Sequence, residues 1–188
     1  SSSVFNYVTK VLVRPDGRTV VFGRDPSNHL TVLQLTTTGA PDPAFGGGDG
    51  IATVTAFSTP TDGRLQSDGA IVMQVGTVFI RVGATGTQDL TYAGDGTFDG
   101  ANGVEGMFID SQDRLVFDNE VADVNTIKRV LPTGVIDTSF GSELDVNGDG
   151  FEDLIIAIRF ARVEWSLLDE PMIRAAIARM DRFELVAV

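Results

Sequence analysis

The stretch Thr38-Gly39-x-x-Asp42-x-x-Phe45 decides the fold, because it returns as Thr85-Gly86-x-x-Asp89-x-x-Tyr92 and as Thr133-Gly134-x-x-Asp137-x-x-Phe140, in steps of 47 and 48 residues. A fixed period of this size marks an architecture in which each repeat is one small sheet that cannot bury its apolar face alone and must pack on its neighbours. About twenty positions ahead of each copy lies a polar turn followed by an apolar run: Pro15-Asp16-Gly17 before 19–22, Ser67-Asp68-Gly69 before 70–73, and Ser111-Gln112-Asp113-Arg114 before 115–117. Between the two landmarks sit 30–35, 78–82 and 126–131, rich in the β-branched residues that suit a pleated, half-buried surface.

The first repeat therefore divides into four strand-like segments, near 10–13, 19–22, 30–35 and 51–56. A four-stranded sheet per repeat of this length predicts an all-β chain, a β-propeller of about four four-stranded blades, either a closed four-bladed ring or a segment of a larger propeller. The repeats fall at about 9–57, 58–102, 103–158, and 159–188 together with 1–8, within one domain. In the last repeat 161–165, 171–177 and 182–188 can be laid on the first three strands of a blade, and Ser3 to Val8 could supply the fourth and close the ring. In the Thr-Gly motif, Gly39 is expected to take the positive φ of a turn, Asp42 to cap backbone N–H groups, and Phe45 to fill a gap between sheets.

Composition limits the partners. The 188 residues carry 26 acidic against 14 basic side chains, a formal charge of −12, which argues against nucleic-acid phosphates and anionic lipid and agrees with cations. No window of 18 apolar residues exists, so no inserted helix is expected. With no Cys there are no disulfides, thiolate sites or Cys nucleophiles, and the 21 Gly suit an all-β chain with many tight reversals. The start Ser1-Ser2-Ser3 without Met suggests a processed protein or an excised segment.

The strings VLVRPDGRTVVFGR (11–24) and LTTTGAPDPAFGGGDGIATV (35–54) resemble bacterial delta-60 repeats, in which a hydrophobic strand, Pro-Asp-Gly, a second strand and an Asp-Gly-x-x-Asp-x-x-Phe-Gly-x-x-Gly turn follow one another. The resemblance covers 8–57, 64–98 and 104–141 and fades beyond 150; Gln112-Asp113 stands where the third repeat should have Asp-Gly. It implies a propeller on a secreted or cell-surface protein, with no general catalytic assignment.

One constellation carries chemistry. The third repeat has an insertion, Asp145-Val146-Asn147-Gly148-Asp149-Gly150-Phe151-Glu152-Asp153, with oxygen donors at loop positions 1, 3, 5 and 9, Gly at 6 and the Phe151 carbonyl at 7, a spacing that wraps a hard cation such as Ca²⁺. Position 12 is Ile156 rather than a bidentate Glu, so the loop is not an EF-hand. It is similar to the Asp-x-Asn-x-Asp-Gly-x-x-Asp calcium loops of integrin-type FG-GAP and VCBS repeats. The expected ligands are Asp145, Asn147, Asp149, Phe151 through its carbonyl, and Asp153; an acidic hairpin turn is the alternative.

Other signals are weaker. Asp49-Gly50 and Asp95-Gly96 lack the preceding Asp-x-Asn and read as turns, and Asp118, Glu120 and Asp123 read as a solvated acidic loop. The single His29 reads as a loop residue, no Ser-His-Asp set can be assembled with a choice of bases, and Gly46-Gly47-Gly48 opens no helix that could cradle phosphate. No catalytic residue and no cofactor other than Ca²⁺ is expected. Three functions stay open: a non-catalytic extracellular calcium-stabilised scaffold or binding propeller, with a protein or carbohydrate partner; a subunit of a surface assembly that self-associates or docks through its divergent C-terminal third; and a polysaccharide-active enzyme.

Overall fold

The structure is a computed structural model and describes residues 3–55, 57, 59–121 and 124–140. The chain divides into a segment Ser1–Asp137, which carries the strands below, and a segment Thr138–Val188. The described residues are all-β apart from one short 3-10 turn, Tyr92–Gly94.

The first repeat forms a four-stranded antiparallel sheet in sequence order: β1 (Tyr7–Val13), β2 (Thr19–Arg24), β3 (Leu30–Leu35) and β4 (Ile51–Val54). The second repeats this with β5 (Asp62–Leu65), β6 (Ile71–Val75), β7 (Val78–Val82) and β8 (Thr97–Asp99). In the third, β9 (Met107–Ile109), β10 (Leu115–Val121) and β11 (Val124–Val130) form a three-stranded sheet among the described residues. Each strand pairs only with its sequence neighbours, the meander that short Gly-containing turns favour.

The expected strand positions hold in each sheet, with ends displaced by a few residues. At the N-terminus, Tyr7 and Val8 extend β1, opposite Arg24 and Gly23. The repeat with which Ser3 to Val8 are expected to pair lies outside the described residues. A register shift between Val8 and Lys10 bulges Thr9, whose hydroxyl donates to the Pro60 carbonyl at 2.8 Å. Gly23 is required opposite the bulge, since a Cβ there would lie 2.9 Å from the Val8 Cα and closer still to the Tyr7 carbonyl.

Registered partners in a sheet point to the same side, so the second sheet has one face toward the first sheet and one toward the third. Val20, Phe22, Leu30 and Val32, joined by Phe45, Ala52 and Val54, form the following face of the first sheet and pack on Ile71, Met73, Ile80 and Val82 of the second. The second seam repeats the arrangement: Val72, Phe79 and Tyr92 pack on Met107, Leu115, Phe117 and Val130. The Phe79 and Phe117 rings meet edge to face with centroids 4.7 Å apart. Each fully buried Val, Leu, Ile, Phe or Met contributes about 1.5–3 kcal/mol, so the seams between sheets carry the core.

Candidate functional site

The three Thr-Gly motifs build the same turn. Gly39, Gly86 and Gly134 have φ of 84°, 91° and 86°. Isolated bridges Leu35↔Pro41, Val82↔Gln88 and Val130↔Ile136 close the turns. The amide of each motif Asp donates to the carbonyl eight residues earlier: Asp42 to Gln34 at 2.9 Å, Asp89 to Arg81 at 2.8 Å, Asp137 to Arg129 at 2.8 Å. The motif carboxylates also cap, Asp42 Oδ1 accepting from the Ala44 amide at 2.9 Å and Asp89 Oδ1 from the Thr91 amide at 3.0 Å. Phe45 and Tyr92 are buried in the two seams. Phe140 is half-buried and belongs to the second segment of the chain.

A polar relay runs through each of the first two repeats. In the first, Arg14 Nε donates to Gln34 Oε1 at 2.7 Å and Gln34 Nε2 to Asp42 Oδ2 at 2.7 Å, all three side chains being buried. In the second, Arg81 Nε donates to Gln66 Oε1 at 2.7 Å and Arg81 Nη1 to Asp89 Oδ2 at 2.7 Å. Arg14 and Gln66 hold the same place, at the end of the repeat's first strand, and Gln34 and Arg81 the same place on its third; the guanidinium and the amide have exchanged strands. In the third repeat Arg129 takes the third-strand place and donates to Asp137 Oδ2 at 2.7 Å, while Asp110 stands in the first-strand place and binds Arg114.

The relays also tie neighbouring repeats together. Arg14 Nη1 donates to the Gly69 carbonyl at 2.6 Å, and Gln66 Nε2 to the equivalent Asp113 carbonyl at 2.7 Å. The residue after the motif aromatic donates forward in both seams, Gly46 N to Thr85 O at 2.9 Å and Ala93 N to Thr133 O at 2.8 Å. Gly69 has φ of 84° and Asp113 of 60°, so the acceptor turn is left-handed even where a side chain replaces Gly, as Asp tolerates.

Electrostatics follow from these partners. The Ala44 amide, then Gln34 and Arg18, hold the Asp42 carboxyl below the usual carboxylate range; the Thr91 hydroxyl, then Arg81, do the same for Asp89. Burial lowers the Arg14 guanidinium, with Arg18 adding to the effect, and Arg14 Nη2 has no hydrogen-bond partner among the described residues. Burial pushes the Tyr92 hydroxyl up, and it too lacks a partner. This last cost is specific to the second repeat, since the other two motifs end in Phe.

Two grooves open between the first two sheets. The larger, about 500 Å³, is lined by the turn after Phe45, by β4, and by Thr85 to Gln88; its side chains are uncharged and offer hydroxyls and one amide. It can hydrogen-bond a neutral polar ligand and supplies no acid or base. The smaller, about 250 Å³, lies among Arg14, Asp16, Arg18, Ser67 and Asp68. Arg18 pairs with Asp16 at 2.7 Å and with Asp42 at 3.2 Å, and Asp68 with Arg81, while Arg14 is held by the neutral Gln34 and Gly69 oxygens.

The expected metal ligands Asp145, Asn147, Asp149, Phe151 and Asp153 lie outside the described residues. Among the described residues no group of three or more His, Asp or Glu side chains is placed to hold a metal. Asp49 and Asp95 are turn caps, receiving the Ile51 amide at 2.9 Å and the Thr97 amide at 3.0 Å. Asp118 and Glu120, read as part of a loop, stand on β10 instead, because pairing with β11 continues beyond Phe117 through this polar stretch; Asp118 receives the Glu105 and Gly106 amides at 3.0 and 2.8 Å. His29 sits at the β2–β3 turn, half-exposed, its Nδ1 3.4 Å from Asp25 Oδ2. No described helix is long and apolar enough to cross a membrane. Comparison of the chain with known protein families and with curated proteins found no match.

Proposed function

We propose that this chain is a non-catalytic extracellular repeat scaffold, built of propeller-type blades and stiffened by Ca²⁺ in the Asp145–Asp153 loop. The observation that carries the scaffold reading is the use made of four of the buried polar side chains: Arg14, Gln34, Asp42 and Gln66 serve the relays that hold turn to strand and repeat to repeat. Two seams with the same apolar faces and the same hydrogen bonds support blades of one repeating kind. The uncharged groove beside Thr85 suits a neutral polar partner, such as a carbohydrate or a peptide main chain.

Calcium rests on the donor set alone: three carboxylates, one amide oxygen and one carbonyl, with no thiolate or imidazole that would favour a softer metal. Bound Ca²⁺ would offset the mutual repulsion of Asp145, Asp149, Glu152 and Asp153. Titration calorimetry with millimolar Ca²⁺ tests the assignment. Binding should raise folding stability by about 2.7 kcal/mol at a hundredfold excess over the dissociation constant, and Asp149→Ala should abolish the response. Absence of a binding heat with the wild-type chain would reduce the loop to a hairpin turn.

A further inference from the structure

Among the described residues one face is uncovered at each end of the three-sheet array, and we propose that these two faces dock on one another between copies of the chain, head to tail. This rests on the blade reading above and goes beyond it in naming the partner.

The covered seams show what each face is for. On the second sheet the face toward the preceding repeat, Ile71, Met73, Ile80 and Val82, is fully buried; on the first sheet the equivalent Thr19, Val21, Leu33 and Leu35 are only half-buried. The first strand differs in the same sense. Val11 and Val13 are 55% and 66% exposed, whereas their equivalents in the third repeat are the buried Met107 and the half-buried Ile109.

The opposite end carries the other half. Leu12 packs into the first seam, but its equivalent Phe108 is 61% exposed, and beside it Val116 and Ile127, equivalents of the fully buried Val20 and Val32, are half-buried. Three of the most exposed large apolar side chains thus sit on the two faces that the internal seams bury. The backbone agrees: Gly86 and Gly134 are crowded by the preceding repeat, while a Cβ on Gly39 would meet nothing within 4 Å.

One copy therefore presents a Val11/Val13 face and a separate Phe108 face that have the complementarity of an internal seam, a heterologous contact rather than a self-matching patch. Asp110 occupies the place from which Arg14 and Gln66 donate across the internal seams, and a carboxylate cannot donate there. The contact between copies therefore lacks that side-chain bond and should depend on concentration.

Sedimentation equilibrium of the full chain, with Val13→Asp, Phe108→Asp and Leu90→Asp variants, tests this. Circular dichroism and melting of each variant check that it folds. The wild type and Leu90→Asp, an exposed apolar site off both faces, should gain mass with concentration, and each face variant should stay monomeric. Mixing Val13→Asp with Phe108→Asp should restore a dimer, because each retains the half that the other lacks. A wild type that is monomeric at all concentrations would overturn the proposal and point to cover from within the chain. Folded face variants that still associate, or a mixture that stays monomeric, would also overturn it. Calcium binding is read separately, so either proposal can fail alone.

Discussion

The relays of the first and second repeats reach the same geometry with opposite sequences. In one, Arg14 just after the first strand reaches Gln34 on the third; in the other, Gln66 just after the first strand is reached by Arg81 on the third. Both chains of hydrogen bonds end on the motif carboxylate and both begin on a carbonyl of the following repeat. The difference teaches that the fold specifies a donor count and a path rather than residue types. In these two repeats one guanidinium and one amide lie between the Asp and the next turn, in either order.

The largest expected effect concerns the seams that these relays serve. Gly134→Ala combines left-handed strain of about 1–2 kcal/mol with overpacking of roughly 1–3 kcal/mol, since the new Cβ would lie 2.9 Å from the Ala93 Cα. Gly39→Ala has the same φ near 84° and open space around it, so only the strain remains. Chemical denaturation of both variants should place Gly134→Ala below Gly39→Ala. Equal losses would mean that the two turns do not differ in their neighbours.

A smaller effect tests the relay exchange itself. Gln66→Arg places a second guanidinium against Arg81, and Arg81→Gln removes the pairs with Asp68 and Asp89; each single change should destabilise. The double variant recreates the order of the first repeat and should recover part of the loss, with a coupling of about 1–2 kcal/mol in a double-mutant cycle. Strict additivity would show that the two repeats fill the path by unrelated means.

The smallest effect removes a difference between the repeats. Tyr92→Phe deletes a buried hydroxyl that has no partner among the described residues and restores the aromatic of the other motifs. It should be neutral or stabilise by up to about 1 kcal/mol, read as a shift in the denaturation midpoint. Clear destabilisation would reveal a partner for the hydroxyl.

The turns were legible in the sequence because their chemistry is local. A Gly that must take positive φ, an Asp whose carboxylate folds back on the next amides and an aromatic three residues later leave a pattern that needs no knowledge of distant partners. Strand positions followed for the same reason, fixed by apolar runs between such turns. The relays were not legible, because Arg14, Gln66 and Asp110 share a structural place without sharing a residue type, and only the register of the strands brings them to the third-strand side chain. Asp118 was misplaced because an acidic residue at the Phe22-equivalent position reads as loop when judged by polarity, although strand pairing there is unbroken.

The link from one repeat to the next runs from a side chain of the earlier repeat to a main-chain carbonyl of the later one. Such a contact divides the evolutionary constraint unequally. The receiving turn needs only its left-handed shape, which Gly69 and Asp113 both provide, so that side can drift in sequence. The giving side must keep a long donor. Duplication of a repeat would bring its own donor with it, whereas Asp110, an acid in the donor's place, has no hydrogen to pass forward.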